Sequence, residues 1–105
     1  MTIAREEIFG PVMSVFKWSS EASMIQTVND TEYGLTASIW TRDMATAQDM
    51  VRKVEAGFVW VNSVGRHFLG VPFGGWKESG GGREESIEEL FAMTQTKSVN
   101  VSLGR

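Results

Sequence analysis

The chain has 105 residues, of which 42% are hydrophobic and 22% charged, with a net charge of −3 and no cysteine. That length suits one small domain, able to bury roughly two thirds of its unfolded surface, and the composition is that of an ordinary soluble globular protein. The absence of cysteine excludes a disulfide framework, thiolate zinc sites and a cysteine nucleophile within these residues, and the mild acidity argues against a nucleic-acid binder, which needs a basic face.

Residues 12–18 are apolar and β-branched enough to predict a strand, with Pro11 just before it, where a missing N–H does little harm. Ser20 is the expected N-cap of a first helix, with Glu21 near its positive end and Met24, Ile25 and Val28 recurring at helical spacing. The cluster Asn29-Asp30-Thr31-Glu32-Tyr33-Gly34 ends it as a turn. Residues 35–40 alternate, with Leu35, Ala37 and Ile39 on one face, and predict a second strand. Asp43 caps a second helix running to about residue 55, whose apolar stripe is Ala47, Met50, Val51 and Val54. Gly57 is the expected stop. Residues 58–61 are apolar throughout, as in a strand buried on both faces.

Strand, helix, strand, helix, strand at this spacing predicts an α/β fold with a partial parallel βαβαβ sheet. Residues 63–82 break the pattern and hold seven of the eleven glycines. The stretch also carries Phe68, Phe73 and Trp76, which a disordered linker rarely does, so an ordered functional loop is expected. A short helix over residues 84–93 should turn Ile87, Leu90 and Phe91 inward. Residues 97–103 alternate Val99, Val101 and Leu103 with Ser98, Asn100 and Ser102. They predict a half-buried terminal strand whose neighbouring edge could belong to another subunit. The expected division is a body of residues 1–96 and an oligomerisation strand over 97–105.

No self-contained active site is visible. The glycine-rich stretch fails the P-loop pattern, because Gly81 and Gly82 follow Gly80 where Lys and Ser/Thr are needed, and it fails the dinucleotide pattern at Glu85. His67 is the only histidine. No Gly-x-Ser-x-Gly elbow surrounds Ser63 or Ser79, and a metal site lacks ligands. A lone loop histidine is more often a polar surface or packing residue. The carboxylate pairs Glu6-Glu7, Glu84-Glu85 and Glu88-Glu89 are read as solvated. The apolar runs are too short to span a bilayer, and the N-terminus has no signal-peptide core. A cytoplasmic location is therefore expected, and the two Asn-x-Ser/Thr matches at Asn29 and Asn100 are chance.

Five segments together carry a resemblance. They are Arg5-Glu6-Glu7-Ile8-Phe9-Gly10-Pro11-Val12; Asn29-Asp30-Thr31-Glu32-Tyr33-Gly34-Leu35-Thr36-Ala37; Glu55-Ala56-Gly57-Phe58-Val59-Trp60-Val61-Asn62; Pro72-Phe73-Gly74-Gly75-Trp76-Lys77-Glu78-Ser79-Gly80 with Gly82-Arg83-Glu84; and Thr94-Gln95-Thr96-Lys97-Ser98-Val99. In this order and spacing the sequence resembles the C-terminal part of the NAD(P)-dependent aldehyde dehydrogenases. Trp76 departs mildly, since many relatives have tyrosine or phenylalanine there.

The resemblance implies a piece of an oxidoreductase that converts an aldehyde to a carboxylic acid with NAD or NADP. In that family a cysteine thiolate attacks the carbonyl, with a glutamate base and an oxyanion-holding asparagine, and these lie outside the matched segments. It implies no catalytic residue in this chain, and it makes the remainder of the enzyme a partner. Glu7 matches the glutamate that accepts hydrogen bonds from the nicotinamide ribose hydroxyls, a task suited to a carboxylate. Phe9 matches the aromatic beside the nicotinamide ring. Phe73 matches an aromatic of the aldehyde pocket, and Val64 and His67 lie in the loop that shapes substrate choice. Gly74, Gly75 and Lys77 look like loop-forming residues. The tail resembles one that pairs with a neighbouring subunit, so a homo-oligomer is expected. The competing reading is a non-catalytic, self-associating assembly module. The aldehyde and the choice between NAD and NADP stay open.

Overall fold

In the computed structural model, residues 1–104 are described. A 3-10 turn at Thr2–Ala4 opens the chain, and residues 5–20 then run without helix or strand. The strand expected at 12–18 does not form. Its β-branched and aromatic residues favour a strand only where a pleated neighbour packs beside them. Among the described residues none does so, and Met13, Val15, Phe16 and Trp18 are exposed.

Helix α1 spans Glu21–Asn29 and begins where Ser20 caps it, its Oγ facing the Ser23 amide at 3.5 Å. Two short strands follow, β1 at Tyr33–Gly34 and β2 at Thr36–Ile39. Helix α2 spans Met44–Lys53 under the Asp43 cap, whose carboxylate accepts from the amides of Ala45 at 3.3 Å and Thr46 at 3.0 Å. Hydrogen bonds from the Thr46 hydroxyl, then from the Thr46 and Ala45 amides, hold the Asp43 carboxyl below its usual range. Strand β3 at Phe58–Val61 pairs in parallel with β2, in the register Thr36 to Phe58 through Ile39 to Val61.

This β2–α2–β3 crossover holds the core. Of the expected stripe, Ala47, Met50 and Val54 are buried with Ala56 and Trp60, whereas Val51 is exposed. Burying one side chain of Met50's size stabilises by about 1.5–3 kcal/mol. Asn29 ties the end of α1 to the end of α2: its amide nitrogen donates to Lys53 O at 2.8 Å and its Oδ1 accepts from Glu55 N at 3.0 Å.

The sheet is smaller than expected. Among the described residues only β2 and β3 form a parallel pair, so the five-element βαβαβ sheet is reduced to one βαβ unit. Strand β3 is only half-buried except at Trp60. Strand β4 at Trp76–Lys77 pairs antiparallel with β1 and draws the glycine-rich loop back onto the body. Helix α3 spans Ile87–Ala92, shorter than the expected 84–93. Its Ile87, Leu90 and Phe91 are exposed rather than inward, because no other described element covers them. Residues 97–103 form no strand, having no edge beside them among the described residues.

The outline follows from these unpaired arms. The radius of gyration is 19.5 Å and the extents are 75 × 33 × 25 Å. A compact chain of this length would have a radius of about 13 Å. The accessible surface is 8959 Å². A folded protein of 11.7 kDa exposes about 5,900 Å². The chain thus exposes about 3,000 Å² more than a compact fold of its mass, much of it apolar.

Candidate functional site

The glycine-rich loop is laced down at its base. The Trp60 indole nitrogen donates to Arg66 O at 2.7 Å, from the β3 side. From the other side, Gly70 N donates to Glu85 O at 2.7 Å, and Phe73 and Glu84 exchange backbone hydrogen bonds at 3.0 and 2.8 Å. Arg83 Nη1 donates to Gly75 O at 2.9 Å. Close approach explains part of the glycine content. A Cβ on Gly57 would run into the Gly74 carbonyl oxygen, and one on Gly74 into that of Gly82.

Under the loop lies a cluster of rings. His67 and Phe73 have ring centroids 4.3 Å apart, Phe58 and Phe73 5.5 Å, Phe58 and Trp60 4.9 Å, and Phe58 and His67 5.9 Å. These are ordinary separations for attractive ring pairs. The edge of the His67 ring is used as well: its Nδ1 lies 2.9 Å from Glu85 Oε1. With Glu85 ionised, the carboxylate accepts and Nδ1 donates. The second oxygen, Glu85 Oε2, and Ser86 Oγ are buried without a hydrogen-bond partner among the described residues.

Lys77 works from the opposite side of the loop. Its ammonium donates to Asn29 O at 2.7 Å and Thr31 O at 3.1 Å, and pairs with Glu55 at 2.6 Å. Ser79 Oγ accepts from Gly34 N at 3.0 Å. These bonds give Lys77 and Ser79 a loop-holding role.

The five residues singled out from the sequence fall into two groups. Glu7 is exposed on the N-terminal arm and lines an open cleft of about 420 Å³ with Thr31, Tyr33, Leu35 and Ser79. It has no ion-pair partner among the described residues. Phe9, at φ 51°, is 91% exposed on the same arm. Glu7 thus presents a carboxylate at an open cleft, and Phe9 is not among the residues that line it. Phe73 and His67 meet in the ring cluster, whereas Val64 is exposed on the loop. Phe73 also lines a second cleft of about 460 Å³ with Arg83 and Glu84, and the two clefts share Leu35 and Ser79. The partner of His67, Glu85, was read from the sequence as a solvated carboxylate, whereas one of its oxygens meets His67 and the other is buried. Phe58 and Trp60 were not singled out as ring neighbours of His67, although their i, i+2 spacing on a strand placed them on one face. Among the described residues no group of three His, Cys, Asp or Glu could hold a metal ion.

The sequence profile described as the aldehyde dehydrogenase family matches residues 1–99. The chain belongs to that family. It is 67% identical over 104 residues to aldehyde dehydrogenase tropH of Talaromyces stipitatus, covering 99% of this chain and 20% of that protein. It is 48% identical over 105 residues to betaine aldehyde dehydrogenase of Brucella anthropi, covering all of this chain and 22% of that one. An NAD+ complex of an aldehyde dehydrogenase from Bacillus cereus superposes with a TM-score of 0.87 at 41% identity, covering 99% of this chain and 21% of that one. The chain thus spans about a fifth of the length of the relatives it matches.

Proposed function

We propose that these residues form the C-terminal part of an enzyme that oxidises an aldehyde to a carboxylic acid with NAD or NADP. The observation that carries this reading is the family match over residues 1–99, joined to a free Glu7 carboxylate at an open cleft. NAD(P) supplies the acceptor for the hydride. Glu7 accepts hydrogen bonds from the ribose hydroxyls, and Phe9 limits the position of the nicotinamide ring. Phe73, with Val64 and His67 on the loop, borders the aldehyde. The chain has no cysteine, so the nucleophile comes from residues outside these 105. We assign residues 1–96 to the catalytic body and 97–105 to a strand that pairs with a neighbouring subunit in a homo-oligomer. Its alternation and lack of an edge within the described chain support that role.

The test is aldehyde-dependent NAD(P) reduction by the complete polypeptide that carries these residues, beside its Glu7→Gln variant and the isolated 105-residue chain. The complete polypeptide should turn over, and the isolated chain should not. Each lost hydrogen bond to a charged group is worth about 1.5–3 kcal/mol, so Glu7→Gln should lower kcat/KM for the cofactor by roughly tenfold to a hundredfold. An unchanged cofactor kcat/KM would remove Glu7 from the site. Turnover by the isolated chain would overturn the requirement for a cysteine. The large exposed apolar surface favours a second reading, a non-catalytic self-associating module, which would stand if the complete polypeptide were inactive yet oligomeric.

A further inference from the structure

We propose that His67 and Glu85 are a positioning pair that fixes the substrate loop, residues 63–72, on the ring cluster beneath it. This rests on the reading that the loop borders the aldehyde. The contact itself is short, at 2.9 Å between Nδ1 and Oε1, with both side chains about one-third exposed. It joins residues 18 apart in sequence and adds a side-chain tie between the loop and the turn at Glu84 and Glu85. Trp60 holds Arg66, and Glu84 and Glu85 hold Phe73 and Gly70. His67 lies between these anchors, and among the described residues its other contacts are with the rings of Phe58, Trp60 and Phe73.

The backbone at Glu85 points the same way. It sits at φ 61°, a left-handed conformation that glycine adopts more readily than any residue with a Cβ. A strained non-glycine residue is a reason to look for what its side chain does there. Here the turn is stabilised from behind, since Glu85 N donates to Glu89 Oε2 at 2.9 Å, and it aims the carboxylate at His67. Beyond the anchors, the loop tip is apolar and outward: Phe68 is 57% and Leu69 94% exposed. A base held on three sides presents that tip, and the Phe73 ring, in one geometry. His67 thus acts through Phe73 and the loop.

Two readouts on the complete polypeptide test this. One is kinetic, with Glu85→Ala, His67→Ala and the double variant. The other is chymotrypsin cleavage after Phe68 and Leu69, which needs no activity. Residues in direct contact couple strongly enough for roughly threefold to tenfold effects. Glu85→Ala should raise the aldehyde KM by that factor, leave the cofactor KM and kcat within about twofold, and speed cleavage at the loop tip. The double variant should be no worse than the worse single one, because the pair acts as a unit. Glu85→Gln, which keeps an acceptor, should restore most of the protection. Unchanged cleavage and KM in Glu85→Ala would overturn the proposal. So would additive single effects, or a fall in every kinetic constant together with the melting temperature, which marks a merely structural residue. If the parent shows no aldehyde turnover, the enzymatic reading fails, and cleavage alone decides whether the pair holds the loop.

Discussion

Gly57→Ala is the sharpest test of how the loop meets the body. Gly57 precedes β3, and its amide donates to Gly34 O at 2.9 Å. An added Cβ would overlap the Gly74 carbonyl oxygen and would lie 2.8 Å from Gly74 C and 2.9 Å from Gly75 Cα. All three are backbone atoms, so no side-chain rotation relieves the overlap. The two backbones must part by about an ångström. That movement strains the β2–β3 register on one side and the Arg83–Gly75 bond on the other. Overpacking of this kind costs about 1–3 kcal/mol, and rigid neighbours on both sides put it at the upper end, about 3 kcal/mol. At roughly 2–4 °C per kcal/mol for a larger domain, the melting temperature of the complete polypeptide should fall by roughly 6–12 °C. Gly81→Ala is the control, since nothing lies within 4 Å of its added Cβ. A surface change of that kind stays within about 0.5 kcal/mol. Melting of Gly57→Ala within about 1 °C of the parent, by calorimetry, would refute the close packing of Gly57 on Gly74.

Two further outcomes are expected. The Asp43 carboxyl is held low by the Thr46 hydroxyl first and the two amides after it, so its cap contribution is complete above the unfolded value of 3.8 and is lost as pH falls through the lower folded value. Urea midpoints of the parent and Asp43→Asn should therefore converge on acidification, and a gap independent of pH would contradict the assignment. Deleting residues 97–105 should lower the oligomeric state, and an unchanged mass by light scattering would remove the tail from the interface.

Local features were legible in the sequence and long-range ones were not. Asp43 followed by Ala47, Met50 and Val54 fixes a capped helix with a buried stripe, because cap and period act within a few residues. Ser20 and α1 follow the same logic of cap and period, although no α1 residue is buried. Residues 12–18 and 97–103 carry strand composition, but a strand is completed by its neighbour, and composition does not say whether one is present. The inward placement of Ile87, Leu90 and Phe91 failed for the same reason: periodicity defines a face but not what covers it. At the candidate site, the glycine-rich loop and its aromatics stood out. The meeting of His67 with Glu85 did not, because it depends on how the chain turns across 18 residues and on an unusual conformation at Glu85.

The surplus of about 3,000 Å² of surface bears on what stability means for these residues. Anything that covers such a surface only in the folded state draws the folding equilibrium toward it by mass action. The resistance of this segment to heat or protease is then set by the concentration and affinity of whatever lies against the arms, as well as by its own small core. A melting point measured on it at one dilution describes that solution. The quantity that travels between experiments is the slope of melting temperature against the logarithm of concentration.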